Sequence, residues 1–272
     1  MGALEVVLER IHIGVESLYT LPMFLPLVVL LFLQAAQPAD TVKSYLEWRA
    51  QQANQTNTGV LYASYREHLK QKGLSQAEIA AAFRAIDIER WDTIFKDPTP
   101  VFNTAPNAFM VDVVKGLKPG LALDIGMGQG RNSLHLAKNG WEVTGIDTSE
   151  QGMEIARKSA AAAGVKIATI NIPMEEFDYG VGKWDLIVAT YEGAGWREKA
   201  VQGLKPGGVV IVEGFLRGRG TPSGASFSPN ELVKLFLDLN LRILRYEDVA
   251  GKPDWSPEPT GRVVRLCAQK PE

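Results

Sequence analysis

Leu121-Ala122-Leu123-Asp124-Ile125-Gly126-Met127-Gly128-Gln129-Gly130 decides how the rest of this chain is read. Apolar residues surround one carboxylate, and three glycines then take alternate positions. The apolar run suits a buried parallel strand. The glycines let the backbone approach a ligand with no Cβ in the way. Arg131–Asn139 follows as a helix whose unpaired N-terminal N–H groups point at the same place. A second apolar run, Glu142–Ile146, closes on Asp147. An acid there is placed to accept hydrogen bonds from both hydroxyls of a ribose. The segment therefore reads as a nucleoside-cofactor site.

Working outward, the chain alternates strand and helix. Strands are predicted at Leu121–Ile125, Glu142–Ile146, Ile167–Ile170, Asp185–Thr190 and Val209–Phe215. Helices are predicted at Arg131–Asn139 and at Ser149–Ala163, the latter ended by Gly164. Ser228-Pro229-Asn230-Glu231 reads as a capping box with proline at the first helical position, opening a helix over Asn230–Leu239. Arg242–Tyr246 and Val263–Gln269 follow with no helix between them, so they form an antiparallel hairpin at one edge. The expected fold is α/β: a Rossmann-like, doubly wound, mostly parallel seven-stranded sheet with a C-terminal antiparallel hairpin, preceded by N-terminal helices.

The glycine spacing narrows the cofactor. A dinucleotide fingerprint needs a third glycine three residues after the second, and Arg131 stands there. Asp124 beside the loop repels a pyrophosphate but receives an ammonium group. S-adenosylmethionine has an amino-acid end and a ribose, and no phosphate. Here the resemblance to a known family enters. Asp124–Gly130 resembles motif I of the class I S-adenosylmethionine-dependent methyltransferases. Leu204-Lys205-Pro206-Gly207-Gly208 resembles the turn those enzymes place before their fifth strand, and Trp184–Thr190 resembles their fourth strand. Phe102–Asn107 and Gly126–Asn132 are similar to the small-molecule, tellurite-resistance-like branch. The match runs from about Phe102 to the C-terminus.

The resemblance implies roles for particular residues. Gly126, Gly128 and Gly130 pass under the cofactor. Asp124 faces its amino-acid end, directly or through water. Asp147, with Thr148 beside it, takes the ribose. Pro173 stands where the family has an acid for the adenine, leaving Met174 to pack on the ring and Glu175 as the replacement acid. Ala189, Thr190 and Tyr191 lie under the reactive methyl. Tyr191, Glu192 and Glu213 are the candidate catalytic residues, Tyr191 through its aromatic face and the two acids as general bases. Thr190-Tyr191-Glu192-Gly193 is not the Asn-Pro-Pro-Tyr-like motif of enzymes that methylate bases in nucleic acids.

Composition sets the outer bounds. Forty-six per cent hydrophobic and 22% charged residues fit an ordinary globular protein. The net charge of −2 and the absence of a long basic run argue against nucleic-acid binding. Arg217-Gly218-Arg219-Gly220 is a short basic loop. Cys267 is the single cysteine, so no internal disulfide forms, and its apolar surroundings read as a buried strand. His12, His68 and His135 are far apart, and no metal site is expected.

The N-terminus is the second unusual feature. No charged residue lies between Glu16 and Asp40, around a core from Leu21 to Leu33. A membrane span needs ~20 apolar residues and a signal core ~7–15. Pro22 and Pro26 shorten the apolar helix. The expectation is membrane contact through residues 17–39 with the catalytic domain on the cytoplasmic side; export through a signal-like end and an apolar helix docked on the domain are the alternatives. Residues 40–100 read as a helical cap, with helices at Thr41–Asn54 and, opened by the capping box Ser75-Gln76-Ala77-Glu78, at Ile79–Ile88. Tyr62, Trp91 and Phe95 are its notable aromatics. Residues 101–272 form the expected catalytic domain. The expected function is methyl transfer from S-adenosylmethionine to a small molecule. An inactive cofactor-binding scaffold and an NAD(P)-dependent oxidoreductase are the competing readings.

Overall fold

The computed structural model describes residues 38–52, 55, 58–97, 103–218, 224–251 and 261–272. The uncharged stretch through Gln37 lies outside them, as do Arg219 and Gly220 of the basic loop. No helix among the described residues is long and apolar enough to cross a membrane.

Three helices come first: α1 (Pro38–Ala50), α2 (Thr58–Gln71) and α3 (Gln76–Lys96). Tyr45, Tyr65, Leu69, Ile79, Phe83 and Ile86 give them a core of their own. The capping box forms as expected: Ser75 Oγ accepts from the Glu78 N–H, and Glu78 Oε2 accepts from the Ser75 N–H. The helix it opens runs eight residues beyond the expected Ile88. Its additional turns carry Asp92 and Phe95, which contact the remainder of the chain.

The short α4 (Ala108–Val114) leads into the sheet. In chain order the remaining elements are β1 (Leu121–Ile125), α5 (Arg131–Lys138), β2 (Glu142–Asp147), α6 (Glu150–Ala162), β3 (Ile167–Asn171), β4 (Trp184–Thr190), α7 (Arg197–Gly203), β5 (Leu204–Leu216), β6 (Ser226–Phe227), α8 (Glu231–Leu237), β7 (Arg242–Gly251) and β8 (Gly261–Gln269). The strand order is β3-β2-β1-β4-β5-β8-β7, parallel from β3 to β5 and antiparallel over the last two. The two-residue β6 pairs with β5 off this path, so the sheet has eight strands rather than seven.

β4 shows why this sequence forms a central strand. Leu186, Ile187, Val188 and Ala189 are all fully buried, because helices cover both faces. One face packs Leu123, Ile125, Ile187 and Ala189 with Trp196, the residue just before α7, and Phe236 of α8. The other packs Ala122, Leu186 and Val188 with Phe109 and Met110 of α4 and Leu136 of α5. Cys267 belongs to this second core, where burial pushes its thiol up to about 11.

β5 starts earlier and α8 later than expected, for reasons the structure shows. β5 begins at Leu204, not Val209. The Lys205–Gly208 turn is drawn into the sheet, with Leu204 pairing Trp184 and the Gly207 N–H donating to the Lys270 carbonyl. Helix α8 begins at Glu231, because Asn230 takes a left-handed conformation (φ 62°) and caps with no side-chain bond. Half of the expected capping box survives, as the Ser228 N–H donates to Glu231 Oε2.

Candidate functional site

β1 lies between β2 and β4, so the chain turns opposite ways on leaving its two neighbours. Ligands of open α/β sheets sit at this switch point, beyond the carboxyl ends of the strands. The glycine loop leaves β1 there. Gly126, Gly128 and Gly130 have φ of +65°, +50° and +77°, a region that L side chains enter only at a cost. A Cβ on Gly126 would fall 2.0 Å from Glu192 Oε1, and one on Gly130 would fall 2.6 Å from the Ala156 Cβ.

Asp147 holds the loop in place. Its Oδ2 accepts from the Gly128 N–H (2.7 Å) and its Oδ1 from the Ser149 N–H (2.7 Å). The Thr148 N–H adds a third backbone donor, which leaves only part of the carboxylate's acceptor capacity for a ligand. Burial raises the Asp147 pKa against the pull of those backbone donors. Thr148, next in the chain, is half-buried, and its carbonyl accepts from Asn171 Nδ2.

Asp124, expected at a cofactor's amino-acid end, is only 1% exposed and turns toward α5. Its Oδ2 accepts from the Ser133 N–H (3.0 Å) and hydroxyl (2.6 Å). Gly130 caps α5 but has no side chain to bond the helix N–H groups, and the strand carboxylate does so instead. Burial pushes Asp124 up to about 6. Beside it, Asn132 Nδ2 donates to Thr190 Oγ1, and its Oδ1 accepts from the Asn107 N–H. Asn107 in turn caps α4 through Met110. This buried amide chain ties the end of β4 to α5 and α4.

The end of β4 gathers the three candidate catalytic residues, though not in equivalent settings. Tyr191 sits at φ 64°, strained for a residue with a Cβ. Its hydroxyl donates to Glu213 Oε1. Glu213 has no exposure, and its Oε2 accepts from Arg265 Nε at 2.6 Å. Both of its oxygens are therefore committed, and it positions Tyr191 rather than facing the cleft. Glu192 differs. Its carboxylate lies against Gly126, and no hydrogen bond or ion pair among the described residues involves it. Burial, then Asp147, Glu175, Asp124 and Asp87, raise its pKa well above the ordinary range. Ala189 is buried in the sheet core. Met174 packs half-buried on the same core, and its carbonyl accepts from the Tyr179 hydroxyl. Glu175 follows it, its carbonyl held by Lys199 Nζ.

Helix α3 brings to the site Phe95, one of the cap aromatics picked out from the sequence, and adds Asp92, Asp87 and Arg84, which were not. Asp92 Oδ1 accepts from the Ser149 hydroxyl (2.6 Å) and the Gln151 N–H (3.3 Å) at the start of α6. The Phe95 ring lies on the loop, 3.1 Å from where a Gly128 Cβ would stand and 3.0 Å from that of Gly152. Asp87 accepts from the Tyr62 hydroxyl (2.8 Å), and burial raises the pKa of both groups. Arg84 pairs with Glu176 across the same junction. Phe95, Asp92 and Ile88 lie three and four residues apart, on one helical face. That periodicity, continued past Ile88, was the available signal.

The arrangement suits a cationic nucleoside. A backbone cradle free of Cβ atoms meets Asp147, and several carboxylates converge with Glu192 unpaired. Such a cluster of carboxylates attracts a ligand bearing ammonium and sulfonium charges and repels a pyrophosphate. Among the described residues, no group of three His, Cys, Asp or Glu side chains is placed to hold a metal ion.

Comparison with known proteins agrees with this geometry. Residues 122–208 match the family model of a methyltransferase domain. By its strand order and its likeness to the solved structures below, the sheet has the fold of class I S-adenosylmethionine-dependent methyltransferases. Among particular relatives, the chain is 32% identical over 117 residues to a ubiquinone biosynthesis O-methyltransferase of Bordetella avium. The alignment spans 42% of this chain and 48% of that one, so the chain spans about half the length of the curated relatives it matches. Among solved structures, the TehB protein of Haemophilus influenzae superposes with a TM-score of 0.52 at 22% identity, over 62% of this chain and 63% of that one. The 1,6-didemethyltoxoflavin-N1-methyltransferase of Burkholderia thailandensis, solved with S-adenosylhomocysteine bound, superposes with a TM-score of 0.55 at 18% identity, over 73% and 92%.

Proposed function

We propose that this protein transfers a methyl group from S-adenosylmethionine to a small-molecule acceptor. The observation that carries the reading is the junction of the glycine loop with Asp147 inside the matched domain. S-adenosylmethionine supplies an already activated methyl group when bound. The protein's own work is then to align the acceptor and exclude water. Gly126, Gly128 and Gly130 cradle the cofactor, Asp147 and Thr148 take its ribose, and Met174 packs on its adenine with Glu175 beside it. Thr190 and Tyr191 border the reactive centre. Glu213 holds the Tyr191 ring there, and an aromatic face tolerates sulfonium charge. Asp124 acts as a charge beneath the loop while capping α5. Helix α3 roofs the site and keeps water out.

A hydroxyl-bearing acceptor is the first class to screen, since the Bordetella relative is named an O-methyltransferase. The test is methyl-labelled S-adenosylmethionine with an acceptor panel, reading labelled product and S-adenosylhomocysteine together. Turnover that Asp147→Ala abolishes supports the reading. Binding without turnover on any acceptor favours an inactive cofactor-binding protein of the same fold.

The division into a helical cap at 40–100 and a catalytic domain at 101–272 belongs to this reading, and limited proteolysis tests it. So does membrane contact through residues 17–39, which the uncharged stretch between Glu16 and Asp40 supports. The cofactor is made in the cytosol, which favours a cytoplasmic catalytic domain. Carbonate extraction of membranes tests the contact, and recovery of all the protein in the supernatant contradicts it.

A further inference from the structure

Glu192 is the one candidate catalytic side chain whose carboxylate has no hydrogen-bond or ion-pair partner among the described residues. It rests on Gly126. Asp124 faces it from β1, Asp147 from β2, Glu175 from the turn after β3, and Asp87 from α3. No cation stands among the groups that act most on Glu192, while Arg131 acts on Asp124 and Arg90 on Asp87. A carboxylate so placed is disfavoured in its ionised form until a positive charge arrives.

Resting on the proposed function, we propose that Glu192 is the counter-charge to the cofactor's sulfonium, giving up a proton when that charge enters the site and regaining one when methyl transfer removes it. S-adenosylmethionine and S-adenosylhomocysteine share the ribose, adenine, ammonium and carboxylate. They differ by one methyl group and by the positive charge on sulfur. Proton exchange coupled to that charge must therefore distinguish the two ligands. The balance closes over a turnover. A neutral acceptor loses one proton as it gains the methyl group, and Glu192 regains one as the sulfonium becomes a neutral thioether. Glu192 is thus ionised while the charge is present and becomes a proton acceptor once the charge has gone. The acid stabilises the loaded site, and its basicity rises as the transfer is completed.

The test is calorimetry on the full chain near neutral pH, in buffers of low and high ionisation enthalpy, with each ligand in turn. The expected result is greater proton release with S-adenosylmethionine than with S-adenosylhomocysteine. In Glu192→Gln that difference disappears, and the preference for the charged ligand falls by about tenfold, the equivalent of one pKa unit. Equal proton exchange for both ligands in the wild-type protein overturns the proposal and leaves cofactor binding standing. A difference that survives in Glu192→Gln also overturns it. If neither ligand binds the wild-type protein, the methyltransferase reading fails and the proposal with it. Should Glu192→Gln not fold, Glu192→Ala takes its place in the same comparison, with the same loss expected.

Discussion

Asp124 carries two duties that its neighbours in sequence do not reveal. It caps α5 through Ser133, and in the proposed function it also places a carboxyl group beneath the glycine loop. Burial raises it from the ordinary 3.8 to about 6. Between those values the folded protein binds more protons than the unfolded chain, so this group's contribution to stability falls as pH rises. The wild-type protein is expected to lose on the order of 3 kcal/mol more than Asp124→Asn across that window, measured by denaturant unfolding at stepped pH. Parallel pH profiles contradict the assignment. Gly130 makes a sharper test of the loop. Gly130→Ala meets both a positive φ and the Ala156 Cβ, whereas Gly164→Ala meets a positive φ alone with nothing within 4 Å. The former is expected to cost about 2 kcal/mol more than the latter by thermal unfolding. The glycines and Asp147 were legible from sequence because one loop and the next strand end bring them together. The duty of Asp124 was not, because alternation along a strand does not say which oxygen faces which helix.

Helix α3 is the element proposed to control access to the site. Its last turns reach the loop through Phe95 and the start of α6 through Asp92. Asp92→Ala and Phe95→Ala are expected to speed hydrogen exchange over residues 76–96 and to speed cofactor association. Unchanged exchange in both variants contradicts a lid held by these contacts. Local signals located the helix start, since the Ser75 and Glu78 capping box needs only adjacent residues. They did not locate its working end, because a contact with α6 depends on tertiary docking. The same limit explains α8, where left-handed Asn230 displaced the expected first turn, and β5, where sheet pairing on both sides absorbed a turn.

Across the whole molecule, the doubly wound order was legible because each strand and helix carries its own apolar period. The antiparallel end of the sheet depends on a buried charge. Glu213 of β5 pairs Arg265 of β8 directly across the ladder, and the same carboxylate holds Tyr191. Arg265→Met removes the partner of a fully buried acid and is expected to cost about 3–5 kcal/mol, with urea unfolding as the measure. A cost below about 1 kcal/mol, the value of an exposed pair, contradicts a buried clamp. The central claim is that the switch point between β1 and β4 is built for S-adenosylmethionine. Its most direct test is calorimetric titration of the full chain with S-adenosylmethionine and, separately, with NADH, beside the Asp147→Ala variant. The account predicts saturable S-adenosylmethionine binding that the variant loses, and no binding of NADH. Absence of S-adenosylmethionine binding by the wild-type protein, or binding of NADH in its place, contradicts it.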